Sequence, residues 1–280
     1  MSANTTRRRF LYSAAFGMIT GTVSANTAIG ITPALTDDDL FYRYPAMSDD
    51  LVSEMVGAAH ARYDRVKELV EARPELANAT WDWGFGDIES AVGAAAHMGR
   101  RDIVEVLMKH GARPDIFTYA MLGELEVVKA MITASPGIQS KLGPHGITLL
   151  EHAQSRLRFD DLSKEELQKT QAMVEYLEEL GDAHFPDVNL PITAEEQELF
   201  IGDYRWGEGE DEFFYVSKNR RGLLQIGREG TFGRALNRIA DNVFTPDGAS
   251  SVRIDFAVEN GQAYAVTVVE HNYVLAAQRM

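Results

Sequence analysis

The spacing of apolar residues changes once along the chain, and the change predicts two kinds of structure. Between residues 50 and 185, small and apolar residues recur about three to four positions apart, which is typical of amphipathic helices. From residue 195 to residue 280, short runs rich in Phe, Tyr, Val and Ile alternate with turn residues, which is typical of strands. The pattern therefore predicts an α+β protein with a helical N-terminal half and a small antiparallel β-domain.

The helical segment repeats one order of features: small residues, a glycine, an apolar helix and a second glycine. The alanines at 94–96 would let a first helix pack closely, Gly99 turns the chain, and residues 103–107 give a second helix its apolar face. Gly111 supplies a left-handed helix end. Similar units begin near three further positions: Gly57, Ala120 and Gly146. The sequence thus predicts about four stacked helix pairs, enough for a continuous core.

The segment from residue 90 to residue 112 resembles an ankyrin repeat. Residues 148–153 resemble the ankyrin first-helix signature Thr-Pro-Leu-His-x-Ala, with Leu149 in place of the proline. The units are unequally spaced, so the repeats are degenerate, with a lengthened finger loop at residues 81–87. That loop and the turn at residues 143–146 resemble a group of bacterial ankyrin proteins, which implies no activity. The resemblance implies an ankyrin-repeat α-solenoid over residues 50–185, whose concave face binds a protein or peptide partner.

The C-terminal segment is predicted to contain eight strands, at residues 199–206, 212–217, 223–227, 232–239, 243–245, 252–258, 263–270 and 273–278. Asn260-Gly261 is a strong hairpin signal. Closely spaced strands favour an up-and-down barrel or a strongly coiled sheet. The positions of Gly202, Tyr204 and Phe244 resemble the lipocalin-like domain appended to some bacterial hydrolases. Those domains are accessory, so the resemblance implies no catalysis here.

The first residues resemble a twin-arginine export signal, with Thr6-Arg7-Arg8-Arg9-Phe10-Leu11 followed by a short apolar stretch. Cleavage is expected after Ala25 or Ala28. The resemblance implies that the protein folds before export and is periplasmic or secreted. The predicted order is a signal peptide (1–28), a lead-in segment (29–49), the ankyrin-repeat domain (50–185), a linker (186–194) and a lipocalin-like all-β domain (195–280).

Charge and cysteine content exclude several classes of function. The net charge is −15, and Arg7, Arg8 and Arg9 belong to the leader, so the remainder is more acidic still. Such a chain repels phosphate backbones and anionic lipid, so neither nucleic acid nor a membrane surface is an expected partner. After the leader, no apolar run reaches the length of a membrane-spanning helix. The chain has no cysteine, which excludes disulfides, thiolate catalysis and a lipid-modified cysteine.

The finger loop is the strongest candidate for a binding surface. Large aromatic residues beside glycines are unusual in a solvated loop, and Trp is favoured as an interface anchor. The alternative is that these rings cover the edge of the helical stack. The residues predicted to bind a partner are Trp81, Asp82, Trp83, Phe85, His97 and Arg100.

No catalytic, cofactor-binding or metal-binding residues are predicted. The histidines do not show the His-x-x-x-His or His-Glu-x-x-His spacing of metal sites, and neither a nucleophile motif nor a phosphate-binding loop occurs. The leading hypothesis is therefore a non-catalytic binding protein. Two alternatives stay open. One is a carrier of a small apolar ligand inside the barrel, and the other is an accessory or degenerate relative of a secreted hydrolase.

Overall fold

The helices lie in the N-terminal half of the chain and a closed eight-stranded antiparallel barrel forms the C-terminal half, so the fold is α+β as predicted. The computed structural model describes residues 44–280. The predicted signal peptide and most of the lead-in segment lie outside the described residues. Within residues 44–280, none of the helices combines the length and apolar character that a membrane crossing requires.

The α-helices follow the predicted order of short pairs. They are α1 (Asp49–Ala59), α2 (Tyr63–Ala72), α3 (Ala91–His97), α4 (Arg101–Lys109), α5 (Ile116–Leu122), α6 (Leu125–Ala134), α7 (Leu149–Ser155), α8 (Lys164–Leu180) and α9 (Ala194–Glu198). Short 3-10 helices occupy Pro74–Asn78, Ile138–Ser140, Pro144–Gly146 and Arg156–Arg158.

Local capping explains where several helices start and stop. Ser90 and Asp115 accept hydrogen bonds from the first turns of α3 and α5, and Thr148 forms a capping box with Glu151 at α7. Gly123 ends α5 in the left-handed conformation, where a Cβ would be strained. These ends are readable from the sequence because each depends on one or two neighbouring residues.

The first helices of successive pairs pack on one another in chain order, α1 on α3, α3 on α5 and α5 on α7. The alanines of α3 make this close approach feasible, since Ala94, Ala95 and Ala96 are completely buried. One apolar core lies among α1 to α4 and a second among α5 to α8. Burial of small side chains between neighbouring helices is thus what holds this half together.

Two short strands, β1 (Thr80–Asp82) and β2 (Ile88–Ser90), form an antiparallel hairpin between α2 and α3. The hairpin carries the finger loop predicted from the sequence. The barrel strands are β3 (Gly202–Arg205), β4 (Phe213–Lys218), β5 (Leu224–Gly227), β6 (Arg234–Ala240), β7 (Val243–Pro246), β8 (Val252–Glu259), β9 (Gln262–Glu270) and β10 (Tyr273–Arg279).

Each barrel strand pairs with its neighbours in sequence, and β10 closes the barrel against β3. Of the two predicted alternatives, the closed barrel is the observed one. Its interior is filled by aromatic and aliphatic side chains. Phe200 packs edge-on against Phe244, with ring centroids 5.0 Å apart, and the hydroxyl of the buried Tyr204 donates to the Phe200 carbonyl at 2.6 Å.

The first predicted strand, at residues 199–206, begins too early. Helix α9 occupies Ala194–Glu198, and β3 starts only at Gly202. Thr193 and Glu196 form a capping box that starts α9, and Phe200 then turns into the barrel core instead of extending the sheet. The predicted linker at residues 186–194 therefore ends in a helix start.

Candidate functional site

The finger loop bridges the two halves of the protein. Gly84, Phe85 and Gly86 all have positive φ, so the chain turns sharply between β1 and β2. The Gly84 N–H donates to Asp82 Oδ1 at 2.8 Å, which fixes the start of this turn. Phe85 packs against the core of the barrel, whereas Trp83 packs against the core of α1 to α4. The loop thus joins the helical half to the mouth of the barrel.

A cluster of three histidines and one glutamate lies behind this loop. His60 follows α1 directly, Glu89 lies in β2, His97 ends α3, and His145 lies in the turn before α7. The distances from imidazole Nε2 to the Glu89 carboxylate are 3.0 Å for His97, 3.4 Å for His60 and 3.4 Å for His145. Glu89 is completely buried and His97 is 8% exposed. Four separate elements therefore deliver their polar side chains to one small volume.

Trp83 closes the cluster on one side. Its indole Nε1 donates to Glu89 Oε2 at 2.7 Å, and its ring meets the His60 ring edge-on at 6.0 Å between centroids. On its other side the same indole meets Phe232 of the barrel edge-on at 5.4 Å. Trp83 therefore separates the histidine cluster from the space in front of the finger loop.

The Glu89 carboxylate and the imidazoles around it shift one another's pKa values. Burial alone would raise the pKa of Glu89, but the imidazoles of His145 and His97 beside it hold that pKa far below its usual range. Burial would likewise lower the pKa of His145, yet the hydrogen bond to Asp87 and the nearby Glu89 carboxylate raise it to about 9. Burial lowers the pKa of His60, an effect that the Glu89 charge only partly offsets. Without a bound cation, a protonated His145 is the imidazole that balances Glu89.

An ion pair between Asp87 and Arg234 connects the histidine cluster to the barrel. Asp87 accepts from the His145 backbone N–H at 2.9 Å and from His145 Nδ1 at 2.6 Å, and it pairs with the guanidinium of Arg234 at the start of β6. Arg234 also donates to the Asp247 carbonyl in the turn after β7. A Cβ at Gly248 would lie 2.6 Å from Asp87 Oδ1, so only glycine fits there. Asp87 thus links the turn at residues 143–146, which we call the histidine turn, to the end of the barrel at Arg234 and Asp247, which we call the barrel mouth.

A cavity of about 540 Å³ lies in front of the finger loop, between it and the barrel mouth. We call it the junction cavity. Five aromatic side chains from both halves supply much of its wall, with charged residues among them. Its lining includes Trp81, Asp82, Trp83, Phe85, Phe214, Phe232, Ile226, Asp50, Ser53, Arg228, Arg234 and Glu270.

Five of the six residues predicted to bind a partner lie in these two places. Trp81, Asp82, Trp83 and Phe85 line the junction cavity, and His97 belongs to the histidine cluster. Arg100 lies apart from both, because its guanidinium binds the Asp102 carboxylate at 2.6 and 2.9 Å and the Ala61 carbonyl. The finger-loop surface that was predicted to bind a partner therefore lies against the barrel of the same chain.

The barrel interior is filled by side chains, which disfavours the alternative of a ligand bound inside the barrel. Tyr204, Phe214 and Phe256 are buried core residues and the half-buried Trp206 packs against them, whereas Tyr215 alternates with Phe214 and Val216 along β4 and lies outside this core. A space large enough for a small molecule, the junction cavity, lies at the barrel mouth instead.

His152, which lies in the segment that resembles the ankyrin first-helix signature, is part of the packed interior of the helical half. It is completely buried, its Nδ1 donates to the Thr148 carbonyl at 2.9 Å, and its ring packs on Phe117 with centroids 4.7 Å apart. Burial lowers its pKa to about 4, so this imidazole is neutral.

Sequence analysis did not identify His60, Glu89, Asp87 or Arg234 as site residues. The prediction of no metal ligands rested on spacing within one helix, whereas the clustered side chains come from four different elements, spread from the end of α1 to the turn before α7. The one available signal was local: a carboxylate at Glu89 between β-forming residues, with histidines at the ends of neighbouring predicted helices.

Comparison with protein-family models and with curated proteins finds no match for this sequence.

Proposed function

We propose that this protein binds a small, largely apolar molecule in the junction cavity. The observation that carries the proposal is the cavity itself, about 540 Å³ of space walled by aromatic side chains of both halves. That volume lies within the range of small-molecule sites, which are concave, mostly apolar and lined by a few polar groups. The proposal keeps the predicted binding role of the finger loop and changes the class of ligand.

The charges around the cavity favour a neutral or cationic ligand. Three carboxylates, Asp50, Asp82 and Glu270, lie in the lining. Of the two cations there, Arg234 is bound by Asp87, and the Arg228 guanidinium stacks over the Trp206 ring at 5.2 Å. An anionic ligand would meet net repulsion, whereas a cation could also contact the indole faces. The ligand class is thus an apolar or aromatic molecule without negative charge.

The aromatic side chains are already engaged in a way that favours a small molecule over a protein. Trp83 contacts His60 on one side and Phe232 on the other, and Phe85 is packed against the barrel core. The surface they leave lines a concave cavity that is partly open to solvent. We therefore place the small-molecule function ahead of a protein or peptide partner on the helical half.

The second candidate function is that of a degenerate relative of a secreted hydrolase. The observation that favours it is the convergence of Glu89 with three histidines at the junction of the two halves. We rank it below ligand binding because Trp83 stands between these groups and the junction cavity, and because the Glu89 carboxylate is surrounded by imidazoles.

We also propose a finer description of both halves. The packing of first helices in chain order supports an ankyrin-like stack of about four degenerate units. The next-neighbour strand order of the closed barrel supports the lipocalin-like description of the C-terminal half.

A substitution at Ser53 should block the junction cavity without disturbing either core. Ser53 lies on α1 at the cavity wall, and a phenylalanine there would fill space that a ligand needs. We expect Ser53→Phe to reduce the affinity for the neutral fluorophore N-phenyl-1-naphthylamine at least about tenfold, since about 1.4 kcal/mol of contact would be lost. Fluorescence titration of the purified protein measures it. Ser53→Ala, which leaves the cavity open, is the matched control and should bind like the wild type.

Removal of one aromatic wall gives an independent check. Phe232 is 76% exposed, so Phe232→Ala should weaken probe binding about fivefold to tenfold with little effect on folding. Tyr264 is also exposed but does not line the cavity, and Tyr264→Ala should change nothing. Equal affinities for all four variants and the wild type would place the probe elsewhere and contradict the proposed function.

We propose further that the protein is exported by the twin-arginine route. Replacement of both Arg7 and Arg8 by lysine should leave the precursor in the cytoplasm, because the resemblance assigns recognition to this pair. Arg9→Lys is the matched control, since Arg9 occupies the variable position of the motif. Cell fractionation followed by immunoblotting measures the distribution. Export of the double variant at the control's level would show that the arginine pair is not the signal.

A further inference from the structure

We propose that His60, Glu89, His97 and His145 bind one divalent transition-metal ion of the zinc class. The site would join the end of α1, the β1–β2 hairpin, the end of α3 and the turn before α7. The proposal is independent of the junction cavity and of any ligand bound there.

The geometry of the four side chains matches a tetrahedral site. Their ligand atoms all lie within 4.8 Å of one another. The three distances between imidazole Nε2 and carboxylate oxygen are 3.0, 3.4 and 3.4 Å. Bonds of about 2.0–2.1 Å to a tetrahedral metal place neighbouring ligand atoms about 3.3 Å apart. The two edges from Glu89 Oε1, to His97 Nε2 at 3.0 Å and to His145 Nε2 at 3.4 Å, are therefore already close to the required length, and His60 Nε2 lies 3.4 Å from the other carboxylate oxygen, Oε2.

Outer hydrogen bonds hold two of the imidazoles in the orientation that metal ligation needs. His60 Nδ1 lies 3.1 Å from the Val56 carbonyl, which can only accept, so Nδ1 carries the proton. His145 Nδ1 donates to Asp87 Oδ2 at 2.6 Å. In both rings this leaves Nε2 to face the centre of the cluster. Such pairing of the remote nitrogen with a carbonyl or carboxylate is the usual support of a metal-binding histidine.

The same arrangement brings together acceptors without enough donors. Because Nδ1 of His60 carries its proton, Nε2 of the neutral ring presents a lone pair to a buried carboxylate, and His145 avoids the same clash only by carrying a second proton. Glu89 Oε1 and His97 Nε2 are both buried, and neither has a hydrogen-bond partner among the described residues. A cation at the centre would satisfy both atoms at once. Trp83 holds the other carboxylate oxygen, Oε2, through its Nε1–H at 2.7 Å, which leaves Oε1 for the metal.

The ligand set indicates both the metal and its role. Three imidazoles and one carboxylate suit zinc and its first-row neighbours, whereas calcium and magnesium prefer oxygen ligands alone. Four protein ligands fill a tetrahedron, which is typical of a structural rather than a catalytic site. Because His145 is also held by Asp87, and Asp87 pairs with Arg234 of β6, the metal would stabilise the docking of the barrel.

The direct test is a zinc titration of the full chain after removal of metals with a chelator. Calorimetry should show one zinc ion per chain, and zinc should raise the melting temperature. Cobalt in its place should give the intense visible absorption of a tetrahedral centre. No stoichiometric zinc binding by the wild type, or a cobalt spectrum of the octahedral kind, would overturn the proposal.

Single substitutions locate the bound ion. His60→Gln, His97→Gln and Glu89→Gln should each weaken zinc binding about 100-fold or more, since loss of a direct ligand exceeds loss of an outer partner. His110→Gln is the matched control. Its Nδ1 also donates to a carbonyl four residues earlier, that of Val106 at 2.8 Å, but His110 is not part of the cluster. Equal zinc affinity in the cluster variants and the control would contradict the assignment.

Two further measurements distinguish the absence of a metal site from misfolding of a variant and from failure of the junction cavity to bind its ligand. If a cluster variant does not fold, the imidazole 15N signals of the wild type should shift at three histidines on addition of zinc, and unshifted signals would overturn the site. Ser53→Phe should bind zinc like the wild type, because Ser53 lies in the cavity wall and not among the ligands. Failure of fluorophore binding and failure of zinc binding are thus separate results.

Discussion

Replacement of Asp87 with alanine is expected to lower the free energy of unfolding by about 3–5 kcal/mol, the range for removing one member of a buried ion pair. Asp87 is 3% exposed and its partner Arg234 is 9% exposed. The substitution would leave the buried Arg234 guanidinium bonded to the Asp247 carbonyl and facing the His145 ring, without the carboxylate with which it forms its ion pair. It would also remove both acceptors of His145. The loss of stability therefore comes mainly from the Arg234 charge, which stays buried without the Asp87 carboxylate.

Urea unfolding followed by circular dichroism measures this effect, with chelator present so that bound metal does not contribute. Asp82→Ala is the control from the same loop, since Asp82 is exposed and accepts only the Gly84 N–H among the hydrogen bonds found in the described chain. We expect it to cost about 1 kcal/mol or less. The double variant Asp87→Ala with Arg234→Met should recover part of the loss, because the uncompensated charge is gone. An Asp87→Ala protein as stable as Asp82→Ala would show that the pair does not hold the barrel mouth.

Replacement of Gly248 with alanine is expected to destabilise the protein by about 2–5 kcal/mol, the combined effect of a left-handed backbone and of overpacking. Gly248 has φ of +75°, and the new Cβ would lie 2.6 Å from Asp87 Oδ1 and 2.9 Å from His145 Cα. One of those neighbours is backbone, so it cannot move aside by rotating a side chain. The substitution would push the barrel away from the histidine turn.

Gly261→Ala separates the two causes. Gly261 has nearly the same φ, +76°, but an added Cβ would meet nothing within 4 Å. Its substitution measures the backbone strain alone, so Gly248→Ala should cost about 1–3 kcal/mol more. Thermal unfolding of both variants under the same conditions gives the difference. Equal losses would mean that the approach of Gly248 to Asp87 and His145 is not close in solution.

Both substitutions act on the same contact, the seam where the finger loop and the histidine turn meet the barrel. The junction cavity and the proposed metal site lie on either side of Trp83 in this seam. A variant that loosens the seam should therefore weaken fluorophore and zinc binding together, whereas Ser53→Phe and His97→Gln should each affect one of them.

The elements of this fold could be predicted from the sequence because their causes are local. A capping residue such as Ser90, a glycine such as Gly123 and the two-residue alternation of strands such as β8 act within a few positions of the chain. The closed barrel was one of two predicted forms. The strand expected at residues 199–206 begins only at Gly202, because the Thr193 capping box starts a helix just before it, at Ala194–Glu198.

The finger loop shows where prediction from sequence ends. Its composition alone indicated a binding surface, and Trp81, Trp83 and Phe85 do line the junction cavity. The sequence could not indicate that the barrel would lie against that loop, because Asp87 and Arg234 meet across 147 positions of the chain.

The sequence by itself determined which segments form helices and strands, since those choices depend on neighbours along the chain. Only the tertiary structure decided that His60, Glu89, His97 and His145 share one buried volume. Each of them ends or joins a different element, and their spacing along the chain carries no record of the packing that brings those elements together. The same holds for the junction cavity, whose walls belong to surfaces that become neighbours only when the helical half and the barrel dock.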